Sequence, residues 1–287
     1  MSEAPAGKDS RGWPARAAVE SVGRTAHRQG RRVHGQFAYA GGLAALLGTT
    51  ARWCYRGLCI PGVKFRRQAL AAQVVRVGLR AVPIVALVQV FIGVILALQM
   101  APTLQSYGQL ERIADVVGIA IVRELGPLIT AIVLSGFAGA SIAAEIGAMV
   151  EAEEIKALRA HALDPLHFLV MPRFVATVLA MVALCVIANA VGVCGGFLTS
   201  LLVLDLPAAT YIDFTREALQ LKDYLTGLGK AGVFGVLISM IACHEGLHVT
   251  GGAVGVGRAT TATVVKCIVA LIGTDALFTA VFYAWGI

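Results

Sequence analysis

The sequence predicts an all-α integral membrane protein, with five transmembrane helices preceded by N-terminal interfacial amphipathic helices. Three observations carry that prediction. Of the 287 residues 57% are hydrophobic and only 14% charged, where a soluble domain carries about 25%. Mean hydropathy is +0.77. The charge deficit is also concentrated: residues 81–110 and 174–204 contain no Asp, Glu, Lys or Arg. Each stretch exceeds the roughly 20 apolar residues that cross a hydrocarbon core of about 30 Å.

Residues 1–35 read as a polar, basic tail, rich in Gly and Arg and without the apolar segment of a cleaved signal. Residues 36–72 mix Phe37, Leu43, Leu46, Leu47, Trp53 and Tyr55 with Arg52, Arg56, Lys64, Arg66 and Arg67. Aromatic residues beside cations suit the headgroup layer, so interfacial helices are expected there. A partly buried span over 37–51 is the alternative. Spans are then expected over about 77–102, 116–148, 168–203, 224–244 and 260–285. Pro102 and Gly108 mark a turn, and Gly251 to Gly257 read as a Gly-rich loop. The uncharged stretch 125–144 is rich in small residues, which let helices approach closely in lipid.

Charge placement orients the chain. Of 24 Lys and Arg, 14 precede residue 81. With that end cytoplasmic, the loop bearing Lys156, Arg159 and Arg173 is cytoplasmic too, as the positive-inside rule requires. On a membrane domain this basic balance points to anionic headgroups and not to nucleic acid.

Charges inside apolar stretches are the candidate functional residues, because each costs a few kcal/mol unless partnered or used. Arg123 and Glu124 are adjacent, so on a helix they point about 100° apart and each must find another partner. They either line a polar cavity or form structural ion pairs. Asp275 is a packing or polar-network residue, or touches substrate; Glu145, at a span end, reads as a hydrated carboxylate. Between two spans, Glu151, Glu153, Glu154, Ile155, Leu158 and Arg159 fit a short amphipathic helix, either solvated or docked into another protein. No catalytic set emerges. Gly227-Leu-Gly-Lys-Ala lacks the spacing and hydroxyl of a phosphate loop. His244 and His248 stand four apart without a third ligand, so no metal site is expected.

The chain resembles the MlaE/YrbE family of ABC transporter permeases. The matching motifs are Arg123-Glu-Leu-Gly-Pro127, Ala143-Ala-Glu-Ile-Gly-Ala-Met149, Glu154-Ile-Lys-Ala-Leu158 with Asp164-Pro165, Pro172-Arg173, Gly192 to Gly196 and Gly251 to Thr261. The first span's Phe91 to Gln99 is similar as well. The resemblance implies an MlaE-type permease domain over 73–287, working as a homodimer. Its partners would be a separate ABC ATPase, which alone uses ATP and Mg, and an MCE-domain lipid-binding protein. It also implies that this chain is not an enzyme, binds no cofactor, and sits in a bacterial inner membrane moving phospholipid or a related lipid. Residues of about 150–160 would be the coupling helix that receives the ATPase stroke, and Arg123 and Glu124 would lie near the substrate cavity, for which Gln99 and Asp275 are further candidates. One departure stands out: many relatives carry a basic residue where this chain has Phe137. A self-contained secondary transporter is the competing class, kept open by Lys230 and Asp275, and a membrane-embedded enzyme is a third.

Overall fold

In a computed structural model the described residues are 37–56 and 67–286. The polar tail expected over 1–35 lies outside them, as do residues 36 and 57–66 of the expected interfacial segment. Contacts divide the chain into two compact units, Met1–Ala45 and Leu46–Ile287. Of the first, only residues 37–45 are described, and they are helical.

Every regular element among the described residues is a helix. Residues 37–56 form α1. After it, five helical runs are long and apolar enough to cross a membrane: Gln68–Ser106, Leu110–Glu151, Leu166–Leu202, Leu221–Leu247 and Gly252–Trp285. The predicted number of spans is therefore found, each beginning earlier than the expected span.

The first run comprises α2 (Arg67–Val77), a short 3-10 turn (Leu79–Ala81) and α3 (Val82–Ser106). Its break falls where Pro83 opens α3: proline has no N–H to bond backwards but suits a first turn. Pro102, expected to mark a turn, instead lies inside α3 close to its end. The turn comes at Gly108, whose φ of +64° glycine adopts without strain.

The second run is a rod of α4 (Ile113–Ala120), α5 (Gly126–Leu134) and α6 (Ala140–Glu151), joined by π turns at Ile121–Leu125 and Ser135–Gly139. A third π turn, Leu166–Val170, leads into α8 (Met171–Leu202). Two of these three π turns run directly into a helix with proline in its first turn, Pro127 or Pro172. Widening the helix there relieves the clash and the missing donor that proline brings.

Between the second and third runs, α6 ends at Glu151 and a separate helix, α7 (Glu154–Ala160), follows. The single amphipathic helix expected from Glu151 to Arg159 is thus split. Glu153 sits at the split with φ of +59°, a left-handed conformation unusual for a side-chain-bearing residue. Beyond α8, a short helix α9 (Ala208–Ala218) precedes α10 (Leu221–Leu247), and α11 (Gly252–Trp285) completes the chain. Most of the expected Gly-rich loop is the start of α11: Gly251 and Gly252 have positive φ, and helix follows at once.

Packing explains the glycines of α8. A Cβ on Gly93 would run into the carbonyl of Gly192, and one on Gly195 would come 2.5 Å from the carbonyl of Val90. Helices α3 and α8 therefore cross backbone to backbone, the arrangement by which small residues replace a hydrophobic driving force in lipid. Helix α10 packs on α6, α8 and α11. It is the most enclosed span, 56% of its most apolar window being buried against 17% for α11. Whatever charge α10 carries must be satisfied inside the bundle.

Candidate functional site

That charge is Lys230, near the middle of α10 and only 1% exposed. A lone ammonium there would be far too costly, so partners must converge on it. They come from two other spans. Glu124 Oε2 lies 2.5 Å from Lys230 Nζ and Asp275 Oδ1 lies 3.0 Å away. The Thr279 hydroxyl, 3.4 Å from Nζ, donates to the Asp275 carbonyl one turn back. The Phe282 ring centroid is 5.8 Å from the ammonium, within reach of a cation–π contact.

The π turn Ile121–Leu125 sets the other half of the site. Arg123 and Glu124 are neighbours in sequence and both turn to α10, where they meet residues two helical turns apart. Arg123 Nη1 lies 3.4 Å from Asp223 Oδ1, while Glu124 meets Lys230. Asp223 serves a second purpose, its Oδ2 accepting the Gln220 N–H at 3.0 Å in a capping box that starts α10. Five ionic side chains, two basic and three acidic, thus tie the second, fourth and fifth spans with a formal surplus of one negative charge.

The cluster is not sealed. Arg123 and Glu124 keep 25% and 36% of their side chains accessible. With Ile119, Ala120, Thr279 and Phe282 they line a cavity of about 260 Å³. One face is therefore buried ion pair and the other a polar lip among apolar walls, which suits a ligand with a charged head and a greasy body.

Sequence reasoning placed Arg123, Glu124 and Asp275 among the candidates, and the fold brings all three within reach of α10. Gln99 is exposed on α3 and takes part in none of these ion pairs. Lys230 was singled out only as a stray charge, although a lysine deep in an apolar stretch is itself a sign of a buried hub. The partnership of Asp223 was missed, because its pairing depends on where the π turn aims Arg123.

A second cluster corrects the reading of Glu145 as a hydrated end-of-span carboxylate. Its Oε1 pairs with Arg76 of α2, and its Oε2 lies 3.0 Å from Nη2 of Arg173, a buried residue of α8. Arg173 Nη1 also donates to the Leu169 carbonyl at 2.9 Å, inside the π turn before α8. Three spans are clamped next to the α6–α7 junction.

Around α7 the charges are exposed. Lys156 Nζ donates to Glu153 Oε1 at 2.6 Å, and this contact holds the Glu153 carboxyl below the usual glutamate range. Ile155 is buried and Leu158 half-buried, while Glu151, Glu154 and Arg159 face outward. The loop after α7 is fastened to α1: the Trp53 indole donates to Asp164 Oδ2 at 3.0 Å, and its rings lie 4.7 Å from the His167 ring. His244 and His248 stack at 4.2 Å. Among the described residues no group of three His, Cys, Asp or Glu could hold a metal ion.

Fold and site together define a five-span helical membrane protein whose second, fourth and fifth spans are joined through a partly open buried charge cluster. Residues 70–281 match the family described as Permease MlaE, and the chain belongs to the MlaE permease family. Over 211 residues it is 38% identical to a probable ABC transporter permease protein of Rickettsia bellii, covering 74% of this chain and 82% of that one. It is 30% identical over 227 residues to the intermembrane phospholipid transport system permease protein MlaE of Haemophilus influenzae, covering 79% and 87%. It is also 31% identical over 244 residues to the protein TRIGALACTOSYLDIACYLGLYCEROL 1, chloroplastic, of Arabidopsis thaliana, covering 81% and 70%.

Proposed function

We propose that this chain is the membrane subunit of an ABC transporter that moves phospholipid or a related lipid between membranes. A separate ATPase drives it through α7, and an MCE-domain protein receives or delivers the lipid. The chain works as a homodimer in a bacterial inner membrane and binds no cofactor itself, ATP and Mg being used by the partner. The observation that carries the reading is the open lip of the charge cluster, where Arg123 stands at an apolar-walled cavity in a chain of the MlaE permease family. Each acyl CH₂ taken from a bilayer is worth about 0.8 kcal/mol, so lipid extraction needs both greasy walls and an external motor. The exposed face of α7, anchored by Ile155, gives a motor a lever to hold. Two of the three relatives described above are bacterial, which supports the membrane assignment.

A gradient-driven secondary transporter is the second reading, and the buried Lys230–Asp275 pair is the feature such a machine needs. Co-expression of the tagged chain with its neighbouring genes separates the two. The ABC reading expects an ATPase to co-purify, with Glu154→Lys and Leu158→Asp releasing it or uncoupling its hydrolysis. Purification alone, with lipid or ion movement on a gradient, overturns it.

A further inference from the structure

A second cleft lies away from the charge cluster, between α8 and α9. It has a volume of about 570 Å³, within the range of small-molecule sites. Val193 and Phe197 of α8 form one wall, and Ile212 and Leu219 the other. Leu219 is fixed against Gly118, where a Cβ would come 3.6 Å from its side chain. Phe197 meets the Tyr211 ring edge-on at 5.4 Å. The walls are greasy, but two polar atoms sit among them. The hydroxyls of Tyr211, only 3% exposed, and Thr215 are both buried, with no hydrogen-bond partner but each other. Burial pushes the Tyr211 phenol up to about 12, so it remains a donor under working conditions. Arg216 closes one side of the cleft, one turn beyond Ile212 on α9. Asp213 and Glu217 flank it in sequence but take no part in the lining.

An apolar trough, a hydroxyl pair with one hydrogen to spare and a cation at the rim form the pattern of a glycerophospholipid read from tail to head. The cleft also lies where a membrane offers that ligand. Cys194, on its inner wall, is eight residues or about 12 Å of helix before the end of α8, so the trough begins among acyl chains. Arg216 belongs to the polar stretch between two spans, at headgroup level. We propose that the cleft holds one acyl chain of a phospholipid from the adjoining leaflet, with an ester oxygen accepting from Tyr211 or Thr215 and the phosphate on Arg216. This is a resident lipid site distinct from the Lys230 cluster, and it does not depend on any transport activity.

The test uses the full chain in nanodiscs of phosphatidylcholine and phosphatidylglycerol, with p-benzoylphenylalanine replacing Ile212 or, as a reference, Leu179, an exposed residue of α8. After irradiation, intact mass identifies what has been captured. A single-phospholipid adduct is expected at position 212. Arg216→Glu should lower it by about fivefold, the factor that roughly 1 kcal/mol per basic residue at a membrane surface implies, while leaving the adduct at 179 unchanged. Arg216→Gln, a milder change at an exposed side chain, carries the same comparison should charge reversal impair folding. Capture of a second copy of the chain at 212, or equal insensitivity of both positions to Arg216, overturns the proposal.

Discussion

The Lys230 cluster and the charges around α7 contain the same kinds of side chain and behave in opposite ways. In the cluster each ion has a partner from another span, and the contacts join residues 106 and 45 positions apart. Around α7, Lys156 and Glu153 are three positions apart, largely exposed, and water solvates whatever they leave unpaired. The Glu145 clamp lies between these extremes, with Arg173 buried and Arg76 half-exposed. The difference teaches that burial, not proximity, decides how much an ion pair matters. A surface pair contributes about 0–1 kcal/mol, whereas removing one member of a buried pair strands its partner in a low-dielectric setting.

The largest effect is therefore expected at Lys230. Lys230→Met leaves Glu124 and Asp275 as two carboxylates without their shared cation, and should destabilise the chain by about 3–5 kcal/mol. Thermal unfolding in detergent checks this. The sharper test is the triple change Lys230→Met, Glu124→Gln, Asp275→Asn, which removes all three charges and should recover most of the loss. A triple variant as unstable as the single one would mean that packing around α10, and not stranded charge, is what matters.

A smaller loss, about 1–3 kcal/mol, is expected for Glu145→Gln, because Arg173 keeps its bond to the Leu169 carbonyl and Arg76 can turn to water. The same melts measure it. A loss matching that of Lys230→Met would place the clamp with the deep cluster and break the ordering by burial.

The smallest effect is expected at Lys156→Ala, whose melting should be indistinguishable from the parent. Its signature is in pH. The bond from Lys156 lowers the folded-state value of Glu153, so its stabilisation is present above the ordinary glutamate range and is lost as pH falls through the lowered value. Hydrogen exchange of the α7 amides across an acid titration should show the parent losing protection as Glu153 is protonated, while Lys156→Ala lacks that step and starts from slightly lower protection. Identical profiles would mean that the pair does not support α7.

Much of this comparison was legible beforehand. Five spans followed from uncharged stretches, since backbone in hydrocarbon must satisfy its own hydrogen bonds within helices. That Arg123 and Glu124 need separate partners followed from helical geometry. Glu145 was misread because the position of a carboxylate along a span does not reveal whether arginines from α2 and α8 will surround it. Gly251 to Gly257 were read as loop because glycine disfavours helix in water, yet α11 begins there; a membrane span tolerates glycine where neighbouring helices crowd its backbone. At Gly255 the reason is local, since an added Cβ would run into the Thr250 carbonyl of the connection leading into α11.

By itself the sequence determined the class of protein, the number of spans, the family resemblance and the types of charge placed in lipid, because those depend on composition and on distances along the chain. Only the tertiary structure decided which charges meet. The π turn before Pro127 aims Arg123 and Glu124 at residues 100 and 106 positions away, and the crossing of α10 with α11 brings Asp275 to Lys230. Such pairings depend on helix rotation and axial register, which are fixed by side-chain packing between spans.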